Sequence, residues 1–359
     1  MSTILIIEMP ECCYVNRQQE EKNMNLVVKR VISASIAVGL VLNASTALAE
    51  QANLSTTVTA QDFVNLQQGG HPHKGYRRAH AKGVCVTGEF ISNGKLAEFT
   101  SASLFAQGKT PFIGRFSIAG NDPHGADLKA PVRSLALNFT LSASNQWRIA
   151  MNTPPVMAVT NPQDFYAQLV AIKSGPEAIA SFFNAHPESE DFLSWKAQYS
   201  PANSFSDETY HSINAFYLEK GTTKHAVRWS VSPATAATFP PETGDNALHN
   251  MLKKQLNAKP ISFNWLFQFA DASDDPNNPA VKWPETRYTV SAGQIVIYDW
   301  QEQLQGKCHG TNFDPNVLPQ GMSATDDPIL KARSAAYAES YKRRAIEEFN
   351  GALNKERGQ

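Results

Sequence analysis

The sequence predicts an α+β fold: a closed eight-stranded antiparallel β-barrel, wrapped by helices and followed by one long C-terminal helix. Two observations predict it. Eight short runs with strand-like alternation recur along the chain, separated by loops rich in Pro and Gly such as GNDPHG (120–125). Helical patterns lie between and after those runs, the longest at the C-terminal end. Eight strands are enough to close a barrel, and closure removes exposed strand edges.

From Met24 the sequence reads MNLVVKRVISASIAVGLVLNASTALAE. A short basic region (Lys29, Arg30) precedes an apolar stretch (Val31 to Leu42) and a small-residue end, Ala47-Leu48-Ala49. This is the layout of a secretory signal peptide cleaved after Ala49, so the expected location is periplasmic or secreted. Residues 1–23 read as an over-long start, and 50–359 as a single domain. Within it, 50–70 is polar and reads as a wrapping arm.

Four strands follow: Val84–Phe90, Phe112–Ile118, Ser134–Thr140 and Trp147–Met151. Four more are Asn214–Leu218, Ala226–Val231, Arg287–Val290 and Gln294–Tyr298. Two pairs read as hairpins, joined across Glu219–His225, which contains Gly221, and across Ser291–Gly293. Helices are expected at Gln163–Ile172, with Phe165, Leu169 and Ile172 on one face, at Pro176–Asn184, at Ala247–Leu256 and at Pro328–Asn354. Asp326–Asp327 suits the start of the last helix as cap and dipole partner.

Bulk chemistry narrows the function. Lys and Arg number 32, Asp and Glu 33, and the net charge is −1. That balance gives no sign of a nucleic-acid partner or an anionic membrane surface. Of four cysteines, Cys12 and Cys13 fall in or before the expected leader. Cys85 and Cys308 remain; in an oxidising compartment they either pair or persist as two buried thiols, and spacing does not decide. No zinc-type spacing occurs.

Two stretches carry candidate chemistry. In YRRAHAKGVC (76–85), Arg77, Arg78 and Lys82 surround His80. Neighbouring cations lower a histidine's pKa and keep the ring neutral, ready to act as base or metal ligand. In ARSAAYAESYKRRA (332–345), Arg333, Tyr337 and Arg344 fall four and seven residues apart, on one helix face, with Tyr341 nearby. A cation beside a tyrosine favours phenolate, an anionic oxygen ligand suited to ferric iron. Taken alone, this spacing better fits a solvated basic helix end with aromatic packing.

These stretches, with RFS (115–117), NTPPV (152–156) and FDPNVLPQGMSATDDPILKARSAAYAESYKRR (313–344), resemble the haem catalases, most closely the small secreted catalase-related peroxidases. The resemblance runs from about His71 to the final helix. It implies that His80 is the distal catalytic histidine, Ser117 a distal serine near it and Asn152 the distal asparagine. It implies that Arg77, Arg115 and Arg344 meet haem propionates, that Phe165 lies beside the haem, and that Tyr337 is the axial ligand with Arg333 bonded to its phenolate. Tyrosine ligation of catalase haem is general knowledge. The implied fold is a catalase-like barrel whose last helix is the proximal haem helix. The implied cofactor is haem b (iron protoporphyrin IX), and the implied partners are hydrogen peroxide and small organic reductants.

The chain also departs from the family. It is shorter than a full catalase, so the long arm, the flavodoxin-like domain and an NADPH site are not expected, and a monomer or homodimer is. Ala79 and Ala119 stand where large catalases usually have valines, and Met157 and Ala158 where they have aromatics. A wider approach to iron favours peroxidase over fast catalase chemistry. Two other readings are an allene-oxide-synthase-like rearrangement of hydroperoxides, against which Ala81 stands in place of a threonine, and a haem-binding protein without turnover.

Overall fold

The computed structural model describes residues 57–235 and 239–356. The expected leader (24–49) and over-long start (1–23) lie outside them. The first helix, α1 (Ala60–Gln68), forms within the expected polar arm because Thr59 and Asp62 make a reciprocal capping box. Four antiparallel strands follow: β1 (Gly83–Ser92), β2 (Gly108–Ile118), β3 (Arg133–Ser142) and β4 (Asn145–Asn152). After the helices α2 (Pro162–Ser174), α3 (Pro176–Ala185) and α4 (Glu190–Gln198) come β5 (Tyr210–His211), β6 (Phe216–Lys220) and β7 (Thr223–Pro233). Then α5 (Ala247–Ala258), β8 (Ile261–Phe269), β9 (Thr289–Glu302), β10 (Met322–Ala324) and α6 (Pro328–Glu356) complete the chain.

The barrel closes as expected. Neighbours run β1–β2–β3–β4–β5–β7–β8–β9, and β9 pairs back onto β1, so eight antiparallel strands form a ring. The short strands β6 and β10 extend one side of β7. Large aromatics fill the interior. Trp147, Phe139 and Trp265 stack in one column, Trp147 to Trp265 at 5.3 Å, with Phe90 and Phe105 edge-on to it. Burial of each such ring contributes about 1.5–3 kcal/mol, so the barrel is a packed core and the ligand space must lie outside it.

Three expectations need correction. The Ser291–Gly293 segment is not a hairpin turn. It lies inside β9, which runs unbroken through both predicted strands, with a bulge where Trp265 pairs Gly293 and Leu266 pairs Ser291, skipping Ala292. Second, the strand facing it, β8, was not expected at all, although its sequence alternates perfectly: Ile261, Phe263, Trp265, Phe267 and Phe269 are buried and the residues between them are not. Third, α2 does not bury Ile172, which is exposed; Gln168 is the buried residue of that helix, with Phe165 packed beneath it against Phe63 of α1.

Cys85 of β1 and Cys308 of the loop after β9 form a disulfide, with Cα atoms 5.3 Å apart. Together with Phe313, Ile113, Ala136 and Tyr337 they make a small apolar cluster. The disulfide therefore ties the loop leading to α6 onto the barrel wall.

The β9 bulge depends on one glycine. Gly293 has φ +126°, and a Cβ there would lie 2.0 Å from the Ile91 carbonyl oxygen of β1. Gly293→Ala must therefore disturb the β1–β9 seam. The expected cost is about 2–4 kcal/mol from backbone strain and overpacking together, read from the urea midpoint; an unshifted midpoint would show that the seam tolerates a side chain there.

Candidate active site

Against the outer wall of the barrel, between β2–β4 and the helices α1, α2 and α6, lies a cavity of about 260 Å³. The nine residues to which the resemblance gives a catalytic or haem-binding role all line it: Arg77, His80, Arg115, Ser117, Asn152, Phe165, Arg333, Tyr337 and Arg344. They come from five separate stretches, so only folding brings them together.

The α6 side is fixed by a buried chain of hydrogen bonds. Asp327 is fully buried and caps α6, accepting from the amides of Ile329 (2.8 Å) and Leu330 (3.2 Å). Its other oxygen accepts from Asn214 Nδ2 at 2.6 Å. Asn214 Oδ1 in turn accepts from Arg333 Nη1 at 2.6 Å, and Arg333 Nη2 reaches Tyr337 Oη at 3.1 Å. Burial raises the Asp327 pKa, opposed by the hydrogen bonds from Asn214 and the two amides and by Arg333. Asn214 follows Ile213, a β-branched residue held at φ +65°. That strained conformation is the kind that persists where surroundings over-determine it. Asp326, expected to share the capping role, instead pairs with exposed Lys331 at 2.6 Å.

The facing set centres on His80. Its pKa is lowered to about 4, first by burial and then by Arg115 and Arg333, so the ring is neutral. The cations adjacent in sequence are not the cause. Arg78 turns away to Glu347 at 2.5 Å, and Lys82 to Asp127 at 2.8 Å. His80 itself sits at φ +52°, and Arg115 Nη2 holds its carbonyl oxygen at 2.7 Å. Arg115 also bonds Gln303. Ser117 was expected beside the histidine. It lines the cavity, but the hydroxyl that meets His80 Nδ1, at 3.1 Å, belongs to Ser134, which also bonds Asn152 Oδ1. Ser134 and Asn214 are the site residues that the sequence did not disclose.

Three arginines crowd the same space with too few acceptors. Arg77 Nη2 donates to the carbonyls of Cys308 (3.0 Å) and Thr311 (2.9 Å), yet its buried Nη1 has no partner. Buried Arg344 also leaves Nη1 unpartnered, and its nearest carboxylate contact is Glu348 at 3.8 Å. Burial, then repulsion from Arg115 and from Arg344, push the Arg77 pKa well down; burial and Arg344 push Arg115 to about 9. Buried orphan donors on like charges call for an anion with several oxygens.

Comparison with known proteins agrees with this geometry. A family model described as Catalase matches residues 43–352. The chain belongs to the catalase family. It is 28% identical to a catalase-related peroxidase of Synechococcus elongatus, over 84% of this chain and 94% of that protein. A catalase-related peroxidase of Mycolicibacterium paratuberculosis is 26% identical over 81% of this chain and 96% of its own length. Among solved structures, catalase A from Saccharomyces cerevisiae superposes with a TM-score of 0.67 at 16% identity, covering 76% of this chain and 62% of that one. The structure of a bacterial catalase gives 0.66 at 18%, over 76% and 58%. The solved catalases establish the fold. The family and its peroxidase relatives establish a haem peroxidase of the catalase family.

Membership implies haem, and the cavity fits it. The orphan nitrogens of Arg77 and Arg344 are donors for carboxylates, and Arg333 presents the Tyr337 oxygen to the cavity. Arg77→Leu and Arg344→Leu should each weaken haem binding about 10- to 100-fold, the loss of one charge-assisted contact of about 1.5–3 kcal/mol. Titration of haem into the apo chain, followed by absorbance, checks this. Unchanged affinity in both variants would mean that the orphan donors serve another anion.

Proposed function

We propose that this chain is a haem b peroxidase that reduces hydrogen peroxide to water with electrons from small organic donors, in an extracytoplasmic compartment. The observation that carries it is a neutral, buried imidazole, bonded through a serine to an asparagine, in the same cavity as an arginine-held tyrosine. A haem-carrying protein has no use for that first pair.

Haem, when bound, would supply the iron and the redox chemistry through which peroxide is reduced and donors are oxidised. Tyr337 supplies the protein oxygen ligand, and Arg333 fixes its direction. Arg77 and Arg344 would hold the propionates; Arg115, expected to do the same, is engaged by Gln303 and the His80 carbonyl. His80 Nε2 takes the proton from one peroxide oxygen and returns it to the other, so that water leaves. Asn152 Nδ2 donates to the peroxide and orients it. The approach supports organic donors: Ala79 and Met157 line the cavity where bulkier residues would narrow it, while Ala119 and Ala158 lie outside its lining. The Cys85–Cys308 disulfide supports an oxidising compartment. Mass spectrometry of the exported chain should accordingly find Glu50 as its first residue; a retained 24–49 segment would contradict export by a cleaved leader.

The pKa of His80 gives the main test. Nε2 accepts a proton only while the ring is neutral, and the folded-state pKa is lowered to about 4. The peroxide-dependent rate should therefore stay level from neutral pH to about pH 5 and fall with a midpoint near pH 4, as protonation removes the base. His80→Ala should lower that rate about 10²- to 10⁴-fold. A midpoint near the ordinary histidine value of about 6.5, or a His80→Ala rate equal to wild type, would overturn the assignment.

A further inference from the structure

One hydroxyl group touches both members of the distal pair. The β2–β3 register sets Ser117 beside Ser134, and the β3–β4 register sets Ser134 beside Asn152. Ser134 is 7% exposed. Its Oγ lies 3.1 Å from His80 Nδ1 and bonds Asn152 Oδ1. Ser117, although it faces the cavity, makes no side-chain hydrogen bond among the described residues.

Proton counting fixes the direction of this chain. A serine hydroxyl has one proton and two lone pairs, and an amide oxygen only accepts. The Ser134 proton therefore goes to Asn152 Oδ1, and Oγ faces His80 with a lone pair. His80 Nδ1 must then carry the ring's proton. A neutral imidazole has only one N–H, so Nε2 is left as the free acceptor. The same bond ties up Oδ1 of Asn152 and leaves Nδ2 as the end that can donate into the cavity. Among the described residues no other hydrogen bond to the ring selects a tautomer; Arg115 holds the His80 backbone carbonyl.

We propose that Ser134 is a positioning residue: its single hydroxyl sets the tautomer of His80 and the amide orientation of Asn152, so that the cavity sees one proton acceptor and one donor. The catalytic consequence rests on the peroxidase reading above; the arrangement itself does not, and it exists in the chain without haem.

The test uses that separation. In the ¹⁵N-labelled apo chain, the His80 ring nitrogens are assigned by their loss in His80→Gln. Wild type should show the Nδ1–H tautomer. Ser134→Ala should lose it in favour of Nε2–H or a mixture, Ser134→Thr should restore it by returning a hydroxyl, and Ser117→Ala should leave it unmoved. With haem bound, Ser134→Ala should lower kcat/KM for peroxide about 10- to 100-fold, the size usual for loss of an orienting partner, and Ser134→Thr should recover most of that. A wild-type Nε2–H tautomer would reverse the hydrogen-bond chain and overturn the proposal, as would a Ser134→Ala chain that keeps Nδ1–H. The expected tautomers in a haem-loaded protein that ignores peroxide would support the positioning role and overturn the peroxidase reading instead.

Discussion

The geometry of the site depends on one buried hydrogen-bond chain, Asp327–Asn214–Arg333–Tyr337. Asp327 caps α6, so the start of that helix is fixed in space. Asn214 belongs to the segment between β5 and β6, so the cap is joined to the barrel. Arg333 then passes this constraint one helical turn along α6 to Tyr337. A buried carboxylate is costly unless fully satisfied, and each acceptor in this chain meets a donor. The result is a tyrosine whose oxygen is placed by the barrel and not by its own helix alone.

The other wall follows the same logic with different parts. His80 is forced into a left-handed backbone conformation that disfavours an L side chain by about 1–3 kcal/mol. Arg115 holds that backbone through its carbonyl, and Ser134 holds the ring. Backbone and side chain are thus fixed by different strands. The same arginine also helps to keep the ring neutral, so one guanidinium contributes both placement and charge state. The disulfide clamps the third edge, where the loop carrying Cys308 and Thr311 offers its carbonyls to Arg77. Three like charges in one cavity are then held apart by the fold, with two nitrogens unsatisfied.

Much of this was legible in the sequence, and the failures have physical causes. Helical period puts Arg333, Tyr337 and Arg344 on one face, but that spacing alone favoured a solvated helix end, and their roles were legible only through the resemblance to catalases. His80 was readable as a neutral ring, but for the wrong reason: Arg78 and Lys82 adjoin it in sequence and point elsewhere to their own carboxylates. The groups that do act on it, Arg115 and Arg333, arrive from distant segments. Ser134 and Asn214 were invisible because their roles come from cross-strand register and from one strained residue, Ile213, neither of which has a residue-type signature. The β8 strand had a clear alternation and should have been read. Its absence left β9 without one of its two partners and made Ser-Ala-Gly look like a turn, when the glycine is there to let β1 approach.

The most direct measurement of the central claim is the ferric absorption spectrum of the chain reconstituted with haem, compared with that of Tyr337→Phe. The wild-type chain should bind one haem with a spectrum of oxygen-ligated ferric iron, and the Tyr337→Phe chain should bind haem weakly or show a changed ligand. An identical spectrum and an identical affinity in the two proteins would contradict it, because the constraint that runs from Asp327 to Tyr337 would then hold a residue the haem does not use.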